Sequence, residues 1–170
     1  MEHEFYMNLA YQEALKAYDD GEVPIGAVVV KNRKIIGRGY NRMESLNDAT
    51  AHAEIVAIGA ASSSLSTWRL NDCELYVTIE PCLMCLGAIM QSRISKIVFG
   101  ALDTRLGAIE TNNYKDQIQK IYFRFPEIIG HIMEPECKYL IQSFFIEIRK
   151  KIKESCNTTD NQKRRNNNQE

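Results

Sequence analysis

The chain has 170 residues, 45% of them hydrophobic and 25% charged, with a formal net charge of −1, which suits one soluble domain with a proper core rather than a disordered or fibrous chain. No apolar run approaches the roughly 20 residues that cross a bilayer, and the acidic start Met1-Glu2-His3-Glu4 offers neither a secretory apolar core nor an Arg-rich transit pattern. Five cysteines, an odd number, fit a reducing, cytoplasmic setting better than a disulfide framework.

Phe5, Leu9, Ala10, Ala14, Ala17 and Tyr18 recur at three- and four-residue steps and predict an amphipathic helix over about 2–20, stopped at Gly21. Residues 25–30 and 34–40 read as two strands around a polar turn, a hairpin. Residues 41–50 form a polar loop, and a helix follows over about 51–61, capped by Asp48 or Thr50. Residues 73–79 are a third strand that leads straight into a helix opening at Pro81, where the missing amide costs nothing. A fourth strand at 96–100 completes a parallel βαβ unit. The stretch 104–125 is polar and irregular, with a short helix around 115–122, and 127–133 reads as a short fifth strand. Cys137, Leu140, Ile141, Phe144, Phe145 and Ile148 keep helical spacing behind Pro135, so a last helix packs on the sheet.

Two clusters carry chemistry. Cys82 and Cys85 stand three apart, so on a helix both face one way. Thiolate is the ligating form of cysteine, and a helix N-terminus favours its charge. Cys-x-x-Cys alone is equally the mark of a redox pair or half a structural zinc knuckle. Cys73, Cys137 and Cys156 are scattered singly, so no second pair completes a four-cysteine site. His52 supplies a third ligand, and His, Cys, Cys leaves the fourth tetrahedral position of zinc open, as catalytic sites do. Glu54 is then the acid–base group. His52 and Glu54 are two apart and point to different sides of a helix, so the centre they share must lie beyond its end, between two helix N-termini.

The C-terminal end is basic. Arg149, Lys150, Lys151, Lys153, Lys163, Arg164 and Arg165 face only Glu154, Asp160 and Glu170, on an otherwise acidic body. Such a run follows a phosphate backbone or simply solvates a helix end. From Asn157 onward the chain is polar and Asn/Gln-rich, which predicts disorder. The organisation expected is one domain over 1–153 and a polar, disordered tail over 154–170.

His-x-Glu followed by Pro-Cys-x-x-Cys is the signature of zinc deaminases acting on nucleobases. Together with Val23-Pro-Ile-Gly-Ala-Val-Val-Val30, Gly39-Tyr-Asn-Arg42, Asp48-Ala-Thr-Ala-His-Ala-Glu54, Trp68-Arg-Leu70, Ser92-Arg-Ile94 and Val98-Phe-Gly-Ala101, the chain resembles the cytidine/deoxycytidylate deaminase superfamily, and within it the bacterial-type tRNA-specific adenosine deaminases. The resemblance implies an α/β fold, a cytidine deaminase-like three-layer α/β/α with a five-stranded mixed sheet, usually as a homodimer. It implies deamination of adenosine to inosine at the wobble position of a tRNA anticodon, with zinc on His52, Cys82 and Cys85 and Glu54 shuttling protons. Asn41 matches an asparagine that contacts the flipped base, and Asp103 a residue near the neighbouring sugar. The chain departs from that family after the fourth strand, where Gly107-Ala-Ile-Glu-Thr111 replaces Gly-Ala-x-Gly-Ser, and at Phe123-Arg-Phe-Pro126, where Asn-His is usual. Two other readings stand beside it. One is deamination of a free nucleobase such as guanine or cytosine. The other is a non-catalytic, zinc-stabilised subunit of a deaminase pair, which the presence of Glu54 disfavours.

Overall fold

The computed structural model describes residues 2–122 and 124–166, with side chains as far as residue 154. The hairpin forms as the sequence predicts. β1 (Gly26–Lys31) and β2 (Lys34–Tyr40) pair antiparallel across Asn32 and Arg33, both at positive φ, the two-residue turn whose twist matches the flanking strands. β1 also pairs antiparallel with β3 (Cys73–Ile79). β4 (Lys96–Ala101) runs parallel to β3, and β5 (Glu127–Ile129) parallel to β4. The result is one mixed sheet in the order β2-β1-β3-β4-β5.

Alternation along β1 sorts the layers, because successive side chains point to opposite faces. Ala27 and Val29 join Leu75, Val77, Ile97 and Phe99 beneath α3 (Ala53–Leu65) and α4 (Leu83–Ser92). Val28 and Val30 join Tyr76 and Val98 on the other face. That face is covered by Tyr6, Met7 and Ala10 of α1 (Glu2–Asp19) and by Cys137 of the last helix. Helices on both faces of a central sheet make the three-layer α/β/α arrangement.

Several boundaries differ from expectation. The 41–50 loop contains one helical turn, α2 (Met43–Leu46). Asp48 does not cap α3; its Oδ1 accepts from the backbone N–H and hydroxyl of Thr50, and α3 starts later, with His52 as its N-cap. Likewise α4 starts at Leu83 with Cys82 as its N-cap, so Pro81 lies before the helix. The short helix of the irregular stretch is α5 (Lys115–Gln119). β5 stops early because His131 and Met133 take positive φ, which a strand does not accommodate. The last helix, α6 (Glu134–Asn166), carries its backbone through part of the expected tail. Once a helix is nucleated, each added residue gains a hydrogen bond. The remainder, 167–170, lies outside the described residues.

Two glycines of β2 let α3 sit directly on the sheet. A Cβ on Gly37 would fall against Ala57 O and Ala61 N, and one on Gly39 against Ala53 O and Ala57 N. Gly26 plays the same part under α1, where a Cβ would meet Ala10 O and Ala14 N. Backbone cannot yield as a flexible side chain can, so Gly26→Ala should cost about 2–3 kcal/mol of stability. Gly59 on α3 is exposed with open space at its Cβ position, and Gly59→Ala should add about 0.5–1 kcal/mol. Urea titration of the two variants checks both signs.

Candidate metal centre and active site

β3 and β4 run parallel and end on the same side of the sheet, and the N-termini of α3 and α4 meet there. His52 and Cys82 are the two N-caps, and neither makes a side-chain capping bond. Both side chains are thereby free to turn off the helix ends toward each other. Cys85, one turn into α4, completes the group. His52 Nδ1 stands 3.7 Å from Cys82 Sγ and 3.5 Å from Cys85 Sγ, and the three donor atoms all lie within 4.8 Å of one another.

That spacing tests the fit to zinc. With Zn–N and Zn–S near 2.0–2.3 Å and tetrahedral angles, nitrogen and sulfur ligands should stand about 3.6 Å apart. The observed separations agree, and the donor set is one imidazole and two sulfurs with no fourth protein ligand among the described residues. Cys73 and Cys137 are buried in the two separate core clusters, and burial pushes the Cys137 thiol up to about 12. The side chain of Cys156 lies outside the described residues. A hydrogen bond between the two motif sulfurs pulls Cys82 down to about 4 and pushes Cys85 well above the usual thiol range, while Cys82 holds the His52 imidazole above its ordinary value.

Glu54 is 3% exposed, in the first turn of α3 beside this group. Burial pushes its carboxyl up to about 7, and its own backbone N–H opposes the shift. A carboxyl able to gain and lose a proton near neutrality is suited to general acid–base work.

Asn41 is 3% exposed at the end of β2. Its N–H donates to Ile25 O, and that of Arg42 donates to Ala51 O, next to His52. Asp103 lies in the loop after β4. Its Oδ1 accepts from the N–H groups of Arg105 and Leu106 at 3.0 Å, which closes a local turn of the kind aspartate favours.

Two carboxylates organise the site without any mark in the sequence. Glu80, 1% exposed, immediately precedes Pro81-Cys82. Its Oε1 accepts from the N–H groups of Ile109, Glu110 and Thr111 at 2.9, 2.7 and 3.0 Å, and its Oε2 from the Thr111 hydroxyl at 2.5 Å. The loop over Gly107–Thr111 is thus tied to the residue two before the candidate ligand Cys82. Gly107 forms a bridge with Cys82, and a Cβ there would strike the Glu80 carboxylate. Glu22, also 1% exposed, accepts from the Asn41 amide and from two N–H groups of the α2 region. Their partners are remote in sequence, and an isolated Glu beside Ile79 or Val23 gives no hint of them.

Residues 1–101 match the family model described as the cytidine and deoxycytidylate deaminase zinc-binding region. The chain is 45% identical over 151 residues to the tRNA-specific adenosine deaminase of Bacillus subtilis (strain 168), covering 88% of this chain and 92% of that one. A solved structure from work on A-to-I editing by tRNA:A34 deaminases at the wobble position of transfer RNA is 40% identical. It superposes with a TM-score of 0.76 over 80% of this chain and 98% of that chain. A guanine deaminase structure from Bacillus subtilis is 36% identical, with a TM-score of 0.59 over 74% of this chain and 79% of that one.

Removing the Glu80 carboxylate leaves buried N–H groups without an acceptor. Glu80→Ala should therefore lower the unfolding free energy by about 3 kcal/mol and loosen the loop at 107–111. Urea titration and hydrogen exchange at Ile109, Glu110 and Thr111 check it; unchanged exchange at those amides would contradict the anchoring role.

Proposed function

The chain belongs to the cytidine and deoxycytidylate deaminase family and, within it, to the tRNA-specific adenosine deaminases, and from that premise we propose how its residues divide the work. It is a zinc-dependent hydrolytic deaminase that converts adenosine to inosine at the wobble position of a tRNA anticodon. The observation that carries the residue assignment is the donor triangle of His52, Cys82 and Cys85 with the buried Glu54 against it.

In this assignment His52 Nδ1 and the two sulfurs hold the metal, and Glu54 stays out of the coordination. Zinc, when bound, lowers the pKa of water from 15.7 to about 7 and so supplies hydroxide at neutral pH. Glu54 takes the proton of the attacking water on a carboxylate oxygen. A C–O bond forms at C6 of the purine as Glu54 hands that proton to the ring nitrogen. Glu54 then takes the second proton from the new hydroxyl and gives it to the amine, the C6–amine bond breaks, and water and adenosine have become ammonia and inosine. The base must come out of its stack for this, which a single-stranded anticodon loop makes less costly than a duplex does. Asn41 and Asp103 are assigned to the base and the neighbouring nucleotide.

The partners follow the same reading. Exposed Leu83, Met84 and Leu106 cluster where Cys82 bridges Gly107, and this apolar patch beside the site supports a homodimer. The catalytic unit is taken as 1–153, with 154–170 outside it. Reducing conditions in the cytoplasm would keep the thiols free.

Glu54→Gln should keep one zinc per chain by metal analysis and lose about 10²–10⁴-fold in turnover. The wild-type chain, offered tRNA, adenosine, guanine and cytosine, should release ammonia with tRNA and leave inosine at the wobble position. Ammonia from guanine alone would move the assignment to a free-base deaminase, and none from any substrate would point to a non-catalytic subunit.

Arg149, Lys150 and Lys153 are exposed on α6. If they contact phosphates, replacing all three by alanine should flatten the fall of RNA affinity with salt, by about 0.7 in log–log slope for each phosphate no longer neutralised. Ending the chain at Lys153 should leave turnover unchanged. An unaltered slope in the triple variant would remove α6 from the RNA interface.

A further inference from the structure

The register of β2 against α3 says where Asn41 looks. Residues two apart on a strand share a face. Gly37 lies against Ala57 and Ala61, and Gly39 one helical turn nearer the start, against Ala53 and Ala57. Asn41 is the next residue on that face, and one turn further back lies beyond the N-terminus of α3. That is the space His52 caps, so the Asn41 side chain is directed at the metal end of the helix.

The side chain is held by one group. Asn41 Nδ2 donates to Glu22 Oε2 at 3.2 Å. The same oxygen accepts from Glu44 N–H at 3.2 Å, and Oε1 accepts from Ser45 N–H at 2.7 Å. Each of these partners is a donor, and a carboxylate has only acceptors to offer. The amide can therefore turn only its nitrogen inward. Its Oδ1 has no hydrogen-bond partner among the described residues, yet it is not sealed off, since Arg42 Nε alone among them is a side-chain polar atom both sealed and unsatisfied. Oδ1 is thus an accessible acceptor on a residue that is 3% exposed.

We propose that Glu22 is a positioning residue that fixes the polarity of Asn41, presenting Oδ1 at the metal site as an acceptor for an N–H group of the substrate base. This rests on the deaminase reading and deepens it. In adenosine N1, N3 and N7 all carry lone pairs, so the group accepted by Oδ1 is the 6-amino N–H, and a base that turns only a lone pair toward Oδ1 is disfavoured. Glu22 never touches the base; it acts through Asn41, and through α2 it also holds the chain that follows.

The test inverts the pair. Glu22→Gln keeps Oε1 for Ser45 and puts an N–H₂ where Oε2 was, so Asn41 must turn its oxygen inward and offer an amine to the base. Asn41→Asp sets two carboxylates against each other. The double variant Glu22→Gln/Asn41→Asp restores one donor facing one acceptor and again presents an oxygen to the base. Each variant is assayed with an anticodon stem-loop RNA carrying adenosine at the wobble position, with zinc content and thermal midpoint measured alongside. Each single variant should lose about tenfold or more in kcat/KM while binding one zinc per chain, and the double variant should recover to within a few-fold of wild type. Near-wild-type single variants, or a double variant whose loss is the product of the single losses, would overturn the proposal. A thermal midpoint that falls in proportion to activity across all three would reduce Glu22 to a structural role and overturn it equally. If the wild-type chain acts on a free base instead of RNA, the deaminase assignment to tRNA fails by itself, and the same three variants are read with that base.

Discussion

Two helices begin at the same point in space, and both begin without a cap. An N-cap side chain ordinarily accepts from the first free N–H groups of its helix, and losing that bond costs about 1 kcal/mol. At α3 the position is His52 and at α4 it is Cys82, and neither side chain bonds its own helix. The fold forgoes two caps to aim two ligands across a gap of 3.7 Å. The same helix ends carry positive partial charge, which favours thiolate at Cys82. Glu54, buried just inside α3, is fixed relative to the ligands by the turn that links it to His52.

This arrangement explains what could be read from the chain and what could not. The candidate metal group was legible because ligand chemistry demands particular residue types at short spacings, and His52, Cys82 and Cys85 satisfy it locally. The hairpin and β3 were legible because β-branched residues and a polar turn are local signals too. The starts of α3 and α4 were misplaced by the same feature that makes the site. Asp48 and Thr50 have capping side chains and bond each other instead, while the true caps are residues with no capping propensity. β5 was overextended because nothing in the sequence marks the positive φ of His131 and Met133.

The loop after β4 was opaque for a different reason. Its order comes from Glu80, whose partners lie 29 to 31 residues away. Glu22 is similar, bonding Asn41 from 19 residues away and Ser45 from 23. Buried carboxylates that gather backbone N–H groups are a way to hold irregular chain in place without regular secondary structure. Both flank the metal group, one under the segment that follows β2 and one under the segment that follows β4. Around His131 a second set of contacts closes the same region, with Nε2 3.0 Å from Glu110 and Nδ1 2.8 Å from Glu134 at the start of α6.

Where Gly37 and Gly39 lie under α3, the helix is bedded on bare main chain. Such a platform has no interlayer of side chains that could be exchanged to tilt or slide it. A substitution that reshapes the pocket is accordingly accommodated at the rim, in the segments that Glu22 and Glu80 hold, rather than beneath α3.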